Sequence, residues 1–214
     1  MIEELGLRER KKQETRRRIS DVATGLFLMR GFDNVTVADV ARSADVSVNT
    51  VFNYFKTKED LFFDRQAEVT EQAARDFRAR APGESAVALF RRRFLEGLEH
   101  NSDHTGFNEG ADTWARTVMA SPALVARQRE IGEQAEEALA RALAEDTGAG
   151  PDDLTPRIAA AMIMAASHRL VEEITRRKAA GETLGEMRQS VRVAAERTFD
   201  LLESGLGDYA IRPD

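Results

Sequence analysis

The sequence predicts an all-α protein of about nine helices, and three observations predict it. Apolar residues recur at i, i+3, i+4 and i+7 along most of the chain, many of these stretches open on Ser or Thr, and no segment alternates with the period of a strand. From Lys12 to Arg30, the residues Ile19, Val22, Ala23, Leu26 and Phe27 make one apolar face, and Gly31 ends the helix. Thr36 with Asp39 three residues on is a variant capping box for a short second helix carrying Val37, Val40 and Ala41. Ala44-Asp45-Val46 interrupts it, and Ser47 caps a third helix that reaches Phe55. Thr57, with Glu59 and Asp60 in the next turn, begins a long fourth helix with Leu61, Phe62, Val69, Ala73 and Phe77 on one side and Pro82-Gly83 at its end.

The fifth helix, from about Ser85 to His100, turns Val87, Phe90, Phe94 and Leu98 inward. Gly106 and Gly110 disturb the pattern before a short sixth helix with Trp114, Val118 and Met119. Ser121-Pro122 is an N-cap and first-turn pair for the seventh helix, which Gly148-Ala149-Gly150-Pro151 closes. The eighth, to about Ala180, has apolar positions on two sides: Ile158, Ala161 and Ala165 on one, Ile163, Ala166, Leu170 and Ile174 on the other. It is therefore expected to be buried twice. Thr183 and Glu186 form a full capping box for the ninth, where Leu184, Met187, Val191, Ala194 or Ala195, and Leu202 repeat at helical spacing.

With 42% hydrophobic and 32% charged residues, the chain is composed like a folded, soluble protein. It has no cysteine, which excludes a disulfide framework, a thiolate metal site and a cysteine nucleophile, and suits a reducing cytoplasm. No apolar run approaches the roughly 18 residues of a membrane span, so neither secretion nor membrane insertion is expected. The net charge of −6 is unevenly spread: Arg8 to Lys58 holds eleven Lys/Arg against six Asp/Glu, a basic head on an acidic body. Such a molecule turns its head toward a polyanion. No Gly-rich phosphate loop, Gly-x-Ser-x-Gly elbow or His-Glu-x-x-His is present, so catalysis is not expected, nor is a cofactor. Glu96, His100 and His104 fall four residues apart beside Asp103, but the helix is expected to end among them, and no metal site is assigned.

Residues Thr36 to Phe55 have the shape of a helix-turn-helix, in which the second helix enters the major groove. Thr36-Val37-Ala38-Asp39-Val40-Ala41, then Val46-Ser47-Val48-Asn49-Thr50-Val51-Phe52-Asn53-Tyr54-Phe55, then Lys58-Glu59-Asp60-Leu61 resembles the tetracycline-repressor (TetR) family of bacterial regulators. The match covers roughly residues 11 to 65. Phe52, Phe55, Val51 and Val40 are expected to form the small core. Thr36 and Ser47, at helix N-termini, are expected to meet phosphate oxygens. Similarity to family positions adds Thr50 and Tyr54, and Lys58 stands in the first turn of helix four. Val48, Asn49 and Asn53 lie on the expected outer face as base readers, since asparagine pairs bidentately with adenine and valine meets a thymine methyl. The family commonly has a small residue near Val48 or Asn49 and histidine at Asn53, so the operator does not carry over. Arg8, Arg10, Lys11, Lys12 and Arg16 to Arg18 are candidates for phosphate or minor-groove contact.

The resemblance implies a helix-turn-helix domain at 1–56 and a ligand-sensing, dimerising domain at 57–214. It implies a repressor that binds a palindromic double-stranded DNA operator as a homodimer and releases it on binding a small effector. The dimer surface is expected on the helices near 155–180 and 183–206. Phe90, Phe94, Phe107, Trp114, Met119, Met162 and His168 are the effector candidates, because ligand sites are mostly apolar with a few polar groups. The alternative is a helical adaptor for other proteins that binds no specific DNA; salt-dependent binding to a specific duplex separates the two.

Overall fold

The computed structural model describes residues 6–64, 69–207 and 209–212. Among them the chain forms ten α-helices and one 3-10 turn, and no strand: α1 (Leu7–Arg30), α2 (Val37–Ser43), α3 (Val48–Tyr54), α4 (Lys58–Phe62), α5 (Val69–Arg78), α6 (Ala86–Glu99), the turn Asp103–Thr105, α7 (Ala111–Met119), α8 (Pro122–Thr147), α9 (Thr155–Ala179) and α10 (Leu184–Leu206). The tenth helix arises because the expected fourth helix is two. α4 ends at Phe62, and Leu61, Phe62 and Phe63 are all buried. Three successive buried side chains span about 200° of a helix, more than one apolar stripe, so this segment is held on several sides.

The chain divides into two compact units. The first comprises Met1–Glu68 with Arg116–Arg129, the second Val69–Ala115 with Glu130–Asp214. This differs from a division at residue 56: α4 and the junction of α7 and α8 group with the three N-terminal helices.

In the first unit α1 packs on α2 and α4, and α2 on α3. Ile19, Ala23, Phe27, Phe32, Val35, Val40, Val51, Phe55, Leu61, Phe62 and Phe63 form its buried interior. Phe27 and Phe32 stand 4.9 Å apart, and Phe62 lies 6.1 and 6.2 Å from them. Ser121, at the head of α8, is buried and donates to Asp33 Oδ1 at 2.9 Å, while Arg127 one and a half turns on donates to Asp60 Oδ1 at 3.1 Å.

In the second unit α10 lies along α6 and α9 around one core that includes Phe77, Phe90, Phe94, Leu98, Phe107, Ile163, Leu170, Ile174, Met187 and Phe199. Within the single chain α9 is buried on one side only: Ile158 and Met162 are exposed and Ala161 is half-buried, so the second of the two burials expected is not made inside the chain. Gly97 lets the 3-10 turn sit against α6, since a Cβ there would lie 2.4 Å from the Thr105 methyl and 2.7 Å from His104 Nε2.

Candidate nucleic-acid interface

Local chemistry sets the start of each short helix in the first unit. The Asp39 N–H donates to Thr36 Oγ1 at 3.1 Å, and the Thr36 N–H and hydroxyl donate back to Asp39 Oδ2 at 3.0 and 2.6 Å. Those bonds, hydroxyl first, hold the Asp39 carboxyl below its ordinary value. Thr57 and Asp60 repeat the arrangement at α4. Between α2 and α3 the backbone turns through Asp45, whose φ of 52° is left-handed, a conformation Asp tolerates better than most residues. Ser47 then caps α3: the Thr50 N–H donates to its Oγ at 3.0 Å, and the two hydroxyls lie 2.8 Å apart.

α3 turns Val51 into the core, with Phe55 just beyond its end, and leaves Val48, Asn49, Phe52 and Asn53 exposed. Phe52 corrects an expectation. Its apolar character predicts a place in the core with Val51, Phe55 and Val40, yet it is 51% exposed, because at 100° per residue it falls between Val48 and Asn49 rather than beside Val51. Thr50 is half-buried, and so is Tyr54, whose ring lies 6.4 Å from Phe55. Lys58 Nζ sits 4.1 Å from the centre of the Phe32 ring, and desolvation there, offset by Asp33 and Glu59, lowers its pKa from the usual lysine value. Thr36 and Ser47 are exposed at the two helix N-termini.

Of the basic residues on α1, Arg16 is engaged within the unit: both guanidinium contacts to Asp64 Oδ1 are under 3 Å, and its carbon lies 5.2 Å over Phe55. Lys12 and Arg17 pair loosely with Glu9 and Asp21 at 3.8 and 3.9 Å, while Arg8, Arg10, Lys11 and Arg18 are exposed.

In the second unit the structure brings together only part of the effector set. Phe90, Phe94 and Phe107 belong to one core, with Phe94 6.2 Å from Phe199 and Arg188 over the Phe107 ring at 4.8 Å. Trp114 is half-buried on α7. Met162 is 39% exposed, and His168 is on the α9 surface, 3.1 Å from Glu172. Met119 is 74% exposed and falls in the first compact unit, so it is not among these residues. A cleft of about 360 Å³ runs instead beside α6, lined by Asp76, Arg92, Arg93, Glu96, His100 and His104 among others. His100 Nδ1 lies 2.8 Å from the Glu96 carbonyl, and His104 is held below the usual histidine pKa by desolvation. Among the described residues no cluster of three such side chains is placed to hold a metal ion.

Residues 19–64 match the family described as bacterial regulatory proteins, tetR family, and residues 85–206 match the MftR C-terminal domain. The HTH-type transcriptional regulator TcmR of Streptomyces glaucescens is 30% identical over 166 residues, 75% of this chain and 73% of that protein. The chain belongs to the TetR family. Among solved structures, Salmonella enterica GusR superposes with a TM-score of 0.57 at 18% identity, covering 91% of this chain and 96% of that one. NalD, the secondary repressor of the MexAB-OprM multidrug efflux pump in Pseudomonas aeruginosa, reaches 0.58 at 20% identity over 88% and 96%. A SmeT–triclosan complex also reaches 0.58, at 16% identity over 89% and 90%.

As a TetR-family protein the chain is a helix-turn-helix transcriptional regulator, which disposes of the adaptor alternative. No helix among the described residues is long and apolar enough to cross a membrane. Sequence reasoning missed the outward Phe52 and the Asp33–Ser121 and Asp60–Arg127 bonds of this TetR-family head. Helical register held a signal for the first; nothing local in sequence holds one for bonds 88 and 67 residues apart.

Proposed function

We propose that this regulator is a non-catalytic, cytoplasmic repressor that binds a palindromic operator as a homodimer and leaves it when a small effector binds the second unit. The observation that carries the reading is the exposed arc of α3, where Asn49 and Asn53 stand clear of the head's core beside two capped helix N-termini. Thr36, Ser47, Thr50, Tyr54 and Lys58 fix the register on phosphates, and Val48, Asn49 and Asn53 read base edges. The dimer is supported by a surface that a lone chain leaves wet: Leu154, Ile158 and Met162 recur every fourth residue at the start of α9, and Val193 and Leu201 stand two turns apart on α10, all at least 39% exposed. Pairing there gives two recognition helices, which match half-sites one helical turn apart. For the effector, Phe90, Phe94, Phe107 and Trp114 remain the side chains to probe, with Met162 assigned to the dimer face; Met119 and His168 have no support from their placement.

Selection of bound duplexes from a random pool tests this reading. A symmetric site is expected, with binding that weakens steeply as salt rises. Asn49→Ala and Asn53→Ala should each cost about 1–3 kcal/mol at particular bases. An unselective pool, or equal affinity of the double variant and the wild type for operator and random DNA alike, overturns it.

A further inference from the structure

We propose that Phe52 is a specificity-determining residue: with Val48 it forms an apolar ridge on α3 that reads thymine 5-methyl groups. This rests on the DNA-binding reading above. The first unit contains six phenylalanines in its N-terminal portion. Phe27, Phe32, Phe55, Phe62 and Phe63 are at most 5% exposed, whereas Phe52 is 51% exposed. Its helix has a core-facing side already occupied by Val51, so the ring is not a core residue in waiting.

Register decides where the ring points. At 100° per residue, Val48, Phe52, Asn49 and Asn53 follow one another around a continuous arc of about 140°. Phe52 lies inside that arc. Any approach that lays Asn49 and Asn53 against base edges therefore brings the ring into the groove with them. Val48 stands one turn before it on the same side and is 39% exposed. A phenyl ring neither donates nor accepts a hydrogen bond, so the donor and acceptor pattern of the bases is closed to it. The one apolar mark in the major groove is the thymine methyl. Contact with methyls also removes from water a ring that the free protein leaves half wet.

Replacing each thymine of the selected duplex by deoxyuridine deletes the methyl and nothing else. Wild-type protein is expected to lose roughly three- to tenfold in affinity at one or two thymines of each half-site. Phe52→Ala should bind the intact operator weaker by a similar factor and be indifferent to deoxyuridine at those positions, and Phe52→Leu should fall between. Unchanged thermal unfolding and far-ultraviolet dichroism of both variants, expected for an exposed site, confirm that the heads are folded. Three results overturn the proposal: a wild type that selects an operator yet feels no thymine methyl, a Phe52→Ala protein that keeps the full deoxyuridine penalty, or a loss that is equal on operator and random DNA. If no duplex is enriched at all, it is the DNA-binding reading that fails.

Discussion

The helix starts that shape the first compact unit are set by short-range polar contacts, whereas several of the bonds that tie the second together reach far along the chain. In the first, Thr36–Asp39, Ser47–Thr50 and Thr57–Asp60 each join residues three apart. In the second, Arg80 donates to Asp146 and to the Ala210 carbonyl, Arg91 to Asp200, and Arg192 to Glu99, spans of 66 to 130 residues. Short-range caps decide where a helix starts and hence which side chains it turns outward. Long-range bonds decide which helices are neighbours, and they hold the second unit together.

Breaking the longest-range of these contacts should have the largest effect. The Arg80 guanidinium is buried, donates to the carbonyls of Phe77, Glu84 and Ala210 and to Asp146, and stacks 3.8 Å from the Phe77 ring. Arg80→Ala removes the guanidinium from Asp146 and the Ala210 carbonyl, while the Phe77 and Glu84 carbonyls keep backbone N–H partners, and should cost about 3–5 kcal/mol in urea unfolding. A loss no greater than that of a cap variant breaks the comparison. Next comes Gly97→Ala, which drives a Cβ into Thr105 and His104 and should cost about 1–3 kcal/mol by the same measurement.

The caps come third. Thr36→Ala and Thr57→Ala should each cost about 1 kcal/mol. Because the Asp39 pKa is lowered in the folded state, its contribution is complete above the ordinary value of 3.8 and is lost as pH falls through the folded value. Thr36→Ala should therefore flatten the acid limb of the stability profile below about pH 4. The smallest effect belongs to Lys58, whose stacking on Phe32 is a head contact independent of DNA. Lys58→Gln should cost about 0.5–1 kcal/mol of stability. The same variant should lower the logarithmic salt slope of operator binding by about 1 if the ammonium also meets phosphate; an unchanged slope confines Lys58 to packing.

The same contrast explains what could be read in advance. Thr36, Ser47, Thr57 and Thr183 are legible as caps because each cap and its partner lie within one turn. From them came the helix starts and the outward Val48, Asn49 and Asn53. Phe52 reads as core from its apolar character but as surface from its register, and burial of apolar residues is a one-way rule. One long fourth helix is expected because Phe62, Val69, Ala73 and Phe77 recur at helical spacing in the sequence, and periodicity alone gives no sign that α4 ends at Phe62. The surroundings of the effector candidates are less legible. Whether Met119, Met162 or Phe107 is enclosed depends on which helices meet, and that is written in Arg188–Leu98 and Lys178–Asn108, each joining residues at least 70 apart.

Ser121 and Arg127 reach Asp33 and Asp60 from a stretch of chain that returns to the head after the second unit has begun. The DNA-reading cassette is thus encoded in two pieces. A chimera that transplanted residues 19–64 onto another sensor would take Ser121 from Asp33 and Arg127 from Asp60, and head swapping between relatives would have to carry residues 116–129 along with the helix-turn-helix.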